Sequence, residues 1–340
     1  MSPGDPPSVP SSDPVAQADA LLARGRKADA VALVGRAADG GDAAAAFRLA
    51  IWRLVGDPVP RDLPLARALL RRAAAAGHHE AQLVEVALVA NGSGGIADWA
   101  GARALLDAAA PDNPGAALQR DLIARMAVDA DGMPMRAPDV LPMTPDRAIR
   151  HLPAFFTQEE CTHVARASAD LLEAAFVVDP RTGRNVPHPV RTSDAAVIGP
   201  VREDLVIATL NRRIAAATGT DVRQGEALTV LRYRPGQQFR MHSDALPHTA
   251  NQRVTTVLVY LNQGFGGGET VFPDYDVSVT PKAGDAIAFA NTGGDGRPEP
   301  RARHAGIPVS HGVKWIASRW IRARPFDIWT GPEAAAAGRS

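Results

Sequence analysis

Two kinds of patterning divide this chain. The first half is alanine-rich, helical in pattern, and repetitive. Residues 29–38 (DAVALVGRAA), 65–74 (LARALLRRAA) and 101–110 (GARALLDAAA) superpose with a shift of 36 each time. Ala45, Ala81 and Ala117 keep the same register one helix later, and Gly41, Gly77 and Asn113 fall in the turns. A period in the thirties with alanines at close-packing positions describes stacked helical hairpins.

Residues 129–148, rich in Pro, Asp and Met, read as a linker. A helix is predicted over 157–175, opened by Thr157, Glu159 and Glu160. From about Phe176 the pattern changes to short runs of Val, Ile, Thr and aromatics at Leu228–Tyr233, 253–262, 269–272, Ala286–Ala290 and Lys314–Arg322. Pro-Gly and Gly-rich turns separate them, as in a sandwich or jelly roll. The expected organisation is α + β: a tail over 1–14, a helical repeat domain over 15–128, the linker, a β domain over 149–330, and a second tail over 331–340.

Composition narrows the function classes. With 37 basic and 37 acidic residues in 340, no global field points to nucleic acid or an anionic membrane. No apolar run is long enough to span a bilayer. The amino terminus lacks the basic start and apolar stretch of an export signal, and Cys161 is the single cysteine. Both observations set a cytoplasmic location as the expectation, with Cys161 a small buried or half-buried helix residue. Of the 37 basic residues 34 are arginines, so Lys27, Lys282 and Lys314 stand out against the bias. A lysine that survives in such a chain invites a lysine-specific role.

The candidate chemistry lies in the β half. His242 and Asp244 are separated by one residue, so on an extended strand both face the same way. His304 follows some sixty residues later, and Lys314 ten residues after that. Two histidines and one carboxylate suit iron(II) with open positions for co-substrate and dioxygen. Zinc accepts the same ligands, but a zinc hydrolase would leave Lys314 and Tyr233 without work. A barrel that only binds is a further alternative, disfavoured because all three ligands and the lysine are present. In the strand that Lys314 opens, Ile316, Ser318 and Trp320 share its face, which aims the ammonium inward.

Five blocks in order resemble the prolyl 4-hydroxylase branch of the iron- and 2-oxoglutarate-dependent dioxygenases. They are Tyr233-Arg-Pro-Gly-Gln-Gln-Phe-Arg-Met-His242-Ser-Asp244, Val257-Leu-Val-Tyr-Leu-Asn262, Gly267-Gly-Glu-Thr-Val-Phe-Pro273, Pro281-Lys-Ala-Gly-Asp285, and His304-Ala-Gly-Ile-Pro-Val with Gly312-Val-Lys314-Trp-Ile-Ala-Ser-Arg-Trp-Ile321. The resemblance implies a double-stranded β-helix holding iron(II) through His242, Asp244 and His304. It implies 2-oxoglutarate with its distal carboxylate on Lys314 and Tyr233, Thr270 as a further contact, and dioxygen as oxidant. Ascorbate is the candidate reductant. Arg191 matches an arginine of that family and, with His248, is a candidate substrate residue. The implied substrate is a peptidyl residue, with a free amino acid or small metabolite as the alternative. Two departures lie where substrate enters: the segment before His304 (PEPRAR) and a short loop after Asp244 (ALPHTANQ). The first-half repeats resemble tetratricopeptide-related Sel-one-like repeats, which implies a surface that contacts another protein and so recruits substrate, or an ordinary buttress. The remaining histidines (His78, His79, His151, His163, His188 and His311) are expected to be structural or exposed.

Overall fold

The computed structural model describes residues 13–178, 185–187, 190–280 and 282–334, without the side chains of 176–178 and 185–187. The chain divides between Asp121 and Leu122 into two compact units.

The first unit is built from helices Pro14–Ala23, Lys27–Asp39, Ala43–Val55, Leu63–Ala75, His79–Asn91, Trp99–Ala109 and the start of Pro114–Arg125. Their spacing follows the sequence repeat. Ala30, Ala66 and Ala102, each 36 apart, are fully buried, so helices meet at alanine and not at a larger side chain. The caps repeat as well. Asp62 and Asp98 accept from the backbone N–H three residues on, and so do Asp42 and, through Nδ1, His78.

The third repeat departs from this register by one residue. Gly41 and Gly77 take left-handed φ values of 94° and 85°, as a turn glycine does. Asn113, at the equivalent position, is instead a buried cap. Its Oδ1 accepts from Gly115 and Ala116, and its Nδ2 donates to His79 O and Gln82 Oε1. Pro114 then occupies the first helical position, where a missing N–H costs nothing. The slip carries into the packing: Ala45 and Ala81 are fully buried, but Ala116, not Ala117, fills the third place.

The second unit holds an eight-stranded and a four-stranded antiparallel sheet. The major sheet runs in the order Leu141–Pro142, Ile149–Leu152, Ala286–Ala290, Arg253–Tyr260, Lys314–Arg322, Leu228–Tyr233, Asp194–Ile198, Glu173–Ala174. The minor sheet runs Val277–Val279, Thr270–Phe272, His304–Gly306, Phe239–His242. Leu231, Leu258, Phe272, Val279, Ile287, Phe289 and Ile316 from both sheets form one core, giving the jelly roll that the strand pattern predicts. Leu141–Pro142, inside the stretch read as a linker, is an edge strand of this sheet. The helix predicted over 157–175 opens with a capping box of Thr157 and Glu160 but ends at Ser168. A 3-10 turn, Ala169–Leu171, follows, and Glu173–Ala174 leaves it to pair with Asp194–Ile198. Of the expected tails, 1–12 and 335–340 lie outside the described residues, as do His188 and Pro281.

Because Asn113 makes four hydrogen bonds from a buried site, Asn113→Ala is expected to destabilise the repeat unit by about 2 kcal/mol. Asn113→Asp, which keeps the cap oxygen and loses the donors, should cost about half of that. Urea denaturation followed by circular dichroism at a helical wavelength reads both.

Candidate metal and co-substrate site

Strand register brings the two histidines together. In the minor sheet His304 stands directly opposite His242, and the ring centroids lie 4.3 Å apart. Asp244 is not on that strand, as an extended His-x-Asp would have it: the strand ends at His242, and a bend carries the carboxylate back towards the rings. Asp244 Oδ1 lies 3.6 Å from His242 Nε2, and Oδ2 lies 3.9 Å from His304 Nε2. The three donor atoms all fall within 4.8 Å of one another, and no other such cluster occurs among the described residues.

Each ring is aimed by its other nitrogen. His242 Nδ1 is 2.8 Å from Arg240 O, and His304 Nδ1 is 3.1 Å from Ala302 O. A carbonyl only accepts, so Nδ1 carries the hydrogen and the Nε2 lone pair faces the carboxylate. Phe239 stacks on His242 at 3.5 Å, and Phe272 and Phe289 flank His304. Asp244 Oδ2 accepts from Thr256 Oγ1 at 2.7 Å, and Thr256 in turn accepts from Asn291 Nδ2.

Burial pushes His304 down to about 4, so its imidazole is neutral and free to ligate near neutral pH. Burial acts to raise the Asp244 carboxyl, but the neighbouring His242 and His304 and the Thr256 hydroxyl together hold it below the ordinary range. Two imidazoles and a carboxylate with converging donor atoms fit a divalent first-row metal.

The major sheet supplies the other end of the cavity. Lys314 pairs with Tyr233 across the strands, and its side chain is 2% exposed. Its Nζ donates to Gly268 O at 2.6 Å and stands 5.4 Å and 5.7 Å from the Tyr233 and Tyr260 ring centres. Burial lowers this ammonium to about 8, against the raising effect of the Glu269 carboxylate. Such a group is costly to leave without an anion. Lys314, Tyr233 and Thr270 line the same cavity as His242, Asp244 and His304, and so do Ile316, Ser318 and Trp320, as the strand alternation predicts. The residues present therefore suit a chelating dicarboxylate between metal and ammonium. Thr270 is buried, and it receives the Tyr260 hydroxyl at 2.9 Å.

A larger groove, about 520 Å³, opens on the other side of Phe239, His242, Asp244 and Trp320. Arg191 lines it, bridging to Phe239 through the backbone with its guanidinium 5.9 Å from that ring. His248 does not join it: with φ 53° it sits exposed in the loop after Asp244 and lines neither cavity. His151 and His163 pair with Asp285 and Asp204, His79 and His311 are exposed, and Cys161 is buried with its thiol pushed up to about 12. Thr256, Asn291 and Tyr260 escaped the sequence reading. Thr256 and Tyr260 stand on the strand Arg253–Tyr260 and Asn291 just past Ala286–Ala290, and their roles come from side-chain partners on other segments.

Residues 228–322 match the 2OG-Fe(II) oxygenase superfamily. Prolyl 4-hydroxylase 1 of Arabidopsis thaliana is 34% identical over 225 residues, which cover 59% of this chain and 79% of that protein. The 2OG complex of the viral collagen prolyl hydroxylase from Paramecium Bursaria Chlorella virus-1 is 27% identical, with 52% of this chain and 97% of that one covered and a TM-score of 0.43. A Sel1 repeat protein from Oxalobacter formigenes is 26% identical over 32% of this chain and 85% of its own, with a TM-score of 0.29. Because prolyl 4-hydroxylase 1 is 34% identical and covered over 79% of its length, the chain belongs to the prolyl 4-hydroxylase family of 2OG-Fe(II) oxygenases.

Proposed function

We propose that the chain hydroxylates prolyl residues in peptides, with iron(II), 2-oxoglutarate and dioxygen. The observation that carries this reading is the buried Lys314 ammonium, set in the cavity that the three metal donors close. In the reading, His242, Asp244 and His304 hold the iron, Lys314 and the Tyr233 hydroxyl hold the distal carboxylate, and Thr270 with Tyr260 forms the wall beside it. When bound, the iron with 2-oxoglutarate supplies oxidative decarboxylation by dioxygen coupled to hydroxylation of a C–H bond. The protein's own part is position and dryness. Leu231, Leu258 and Ile316 exclude water around the co-substrate, and Thr256 fixes the one anionic ligand. Phe239 and Trp320 stand between the inner cavity and the groove, so a peptide in the groove would present its target at the metal end. The short loop after Asp244 runs between two residues of the groove, Asp244 and Arg253, and so bears on which peptide is taken.

Ascorbate belongs to this reading as the reductant that restores iron(II). A cytoplasmic setting is in keeping with the lone buried thiol. The repeat unit, which ends at Asp121, is read as the recruiting surface for a protein substrate. Removing residues 1–121 should then raise KM for that protein and leave KM for a short oligoproline peptide unchanged. Equal effects on both would reject recruitment.

Anaerobic addition of 2-oxoglutarate to the iron(II)-loaded protein should produce a metal-to-ligand absorption band. His304→Ala and Asp244→Ala should abolish the band together with turnover. Lys314→Ala should keep iron and raise KM for 2-oxoglutarate roughly a hundredfold, the loss of a desolvated charge pair. Retained turnover in Asp244→Ala would remove the triad from the mechanism.

The same lysine sets a pH dependence. Below about 8 it is protonated and ready to pair with the carboxylate, and as pH rises through that value the free site loses its charge. Binding favours the ammonium, so KM for 2-oxoglutarate should be flat at lower pH and climb by up to about tenfold per unit above it. A KM that falls on the alkaline side would place the carboxylate elsewhere.

A further inference from the structure

Residues 245–252 join the Asp244 bend to the strand Arg253–Tyr260 and form no strand of their own. The loop is nevertheless braced. Gln252 closes it from within, accepting from Leu246 N and donating to Leu246 O, both at 2.8 Å. The outer ties run to the segment that follows the last strand. Asn251 is 3% exposed, and its side-chain amide pairs with the Arg324 backbone at both ends: Nδ2 to O at 3.0 Å, and Arg324 N to Oδ1 at 2.9 Å. Ala323 N donates to Gln252 O, and Arg324 Nη2 donates to Ala250 O. Glu333 accepts from the Thr249 hydroxyl and from Ala250 N. His248, at left-handed φ, sits in the middle of this frame, a conformation that persists where its surroundings determine it.

A second chain of contacts leads from the same place to the groove. Arg322, buried, donates through Nη1 to Asn251 O and Glu333, and through Nε to Glu226. Glu226 also takes two hydrogen bonds from Arg253, whose guanidinium stacks 4.2 Å from the Trp320 ring centre. Glu226, Arg253 and Trp320 all line the groove.

We propose that residues 323–333 are a strap that holds the 245–252 loop in its working position, with Asn251 and Glu333 as positioning residues for substrate in the groove. The strap acts on the substrate side of the site and not on the metal, because Asp244 has its own anchor in Thr256. Only the kinetic consequence rests on the peptide-hydroxylase reading; the bracing itself does not.

The test uses the full-length protein loaded anaerobically with iron(II) and 2-oxoglutarate. In Glu333→Ala and Asn251→Ala, amide hydrogen exchange over 246–252 should speed up roughly tenfold, the scale of losing a net hydrogen bond or two. Exchange over Leu228–Tyr233 and Lys314–Arg322, and the iron–2-oxoglutarate absorption band, should not change. With a synthetic oligoproline peptide, KM should rise by a similar factor while kcat stays within about twofold. Glu333→Gln, which keeps an oxygen for Thr249 or Ala250, should recover most of the KM. Unchanged exchange in the loop overturns the strap. Faster exchange throughout both sheets, or a fall in kcat at constant KM, overturns the positioning role. If the unmutated enzyme does not turn over the peptide, the peptide-hydroxylase reading fails for that substrate, and the exchange result still decides the strap.

Discussion

Two cross-strand registers fix everything at this site: His304 opposite His242 in the minor sheet, and Lys314 opposite Tyr233 in the major one. A slip of one residue in either pairing would turn an imidazole or the ammonium to the outer face. The buried core prevents such a slip, because Ile316, Leu231 and Leu258 share the inward face with Lys314, while Phe272 and Phe289 pack against His304. The apolar residues thus do more than stabilise the fold. They set the register that makes donor atoms and ammonium converge, and the carbonyls of Arg240 and Ala302 then choose the tautomer.

What was legible in the sequence was what depends on local pattern. The strands Leu228–Tyr233, Ala286–Ala290 and Lys314–Arg322 stand where alternation and turn residues place them. The inward aim of Lys314 followed from the period of two, and the grouping of His242, Asp244 and His304 from their residue types and a family resemblance. Local rules failed where a tertiary partner intervened. The helix after Thr157 stops at Ser168, short of the predicted end, because Glu173 and Ala174 are drawn to the sheet edge. The third repeat loses a residue of its period because Asn113 caps a helix where its predecessors supply a turn glycine. Asp244 reaches the histidines through a bend and not along a strand. Thr256 and Asn291 had no local signature, since the contact that defines them joins residues far apart in the chain.

The chain's near-exclusive use of arginine makes Lys314 the most informative exception. Its Nζ sits against Gly268 O, and the space around it is bounded by glycines. A Cβ on Gly268 would come 3.1 Å from Lys314 Cδ, and one on Gly306 would come 3.9 Å from Nζ. Gly268 also takes φ 74°, which lets its carbonyl turn to the ammonium. A guanidinium is planar, wider and branched, and five donors in a fixed fork need more acceptors than this pocket offers. A compact charge with three donors fits one carbonyl and still has two hydrogens for an incoming carboxylate. Lysine is therefore retained here by volume and donor count. The same pocket that excludes arginine also leaves its ammonium under-solvated, and that deficit is what a dicarboxylate co-substrate would make good.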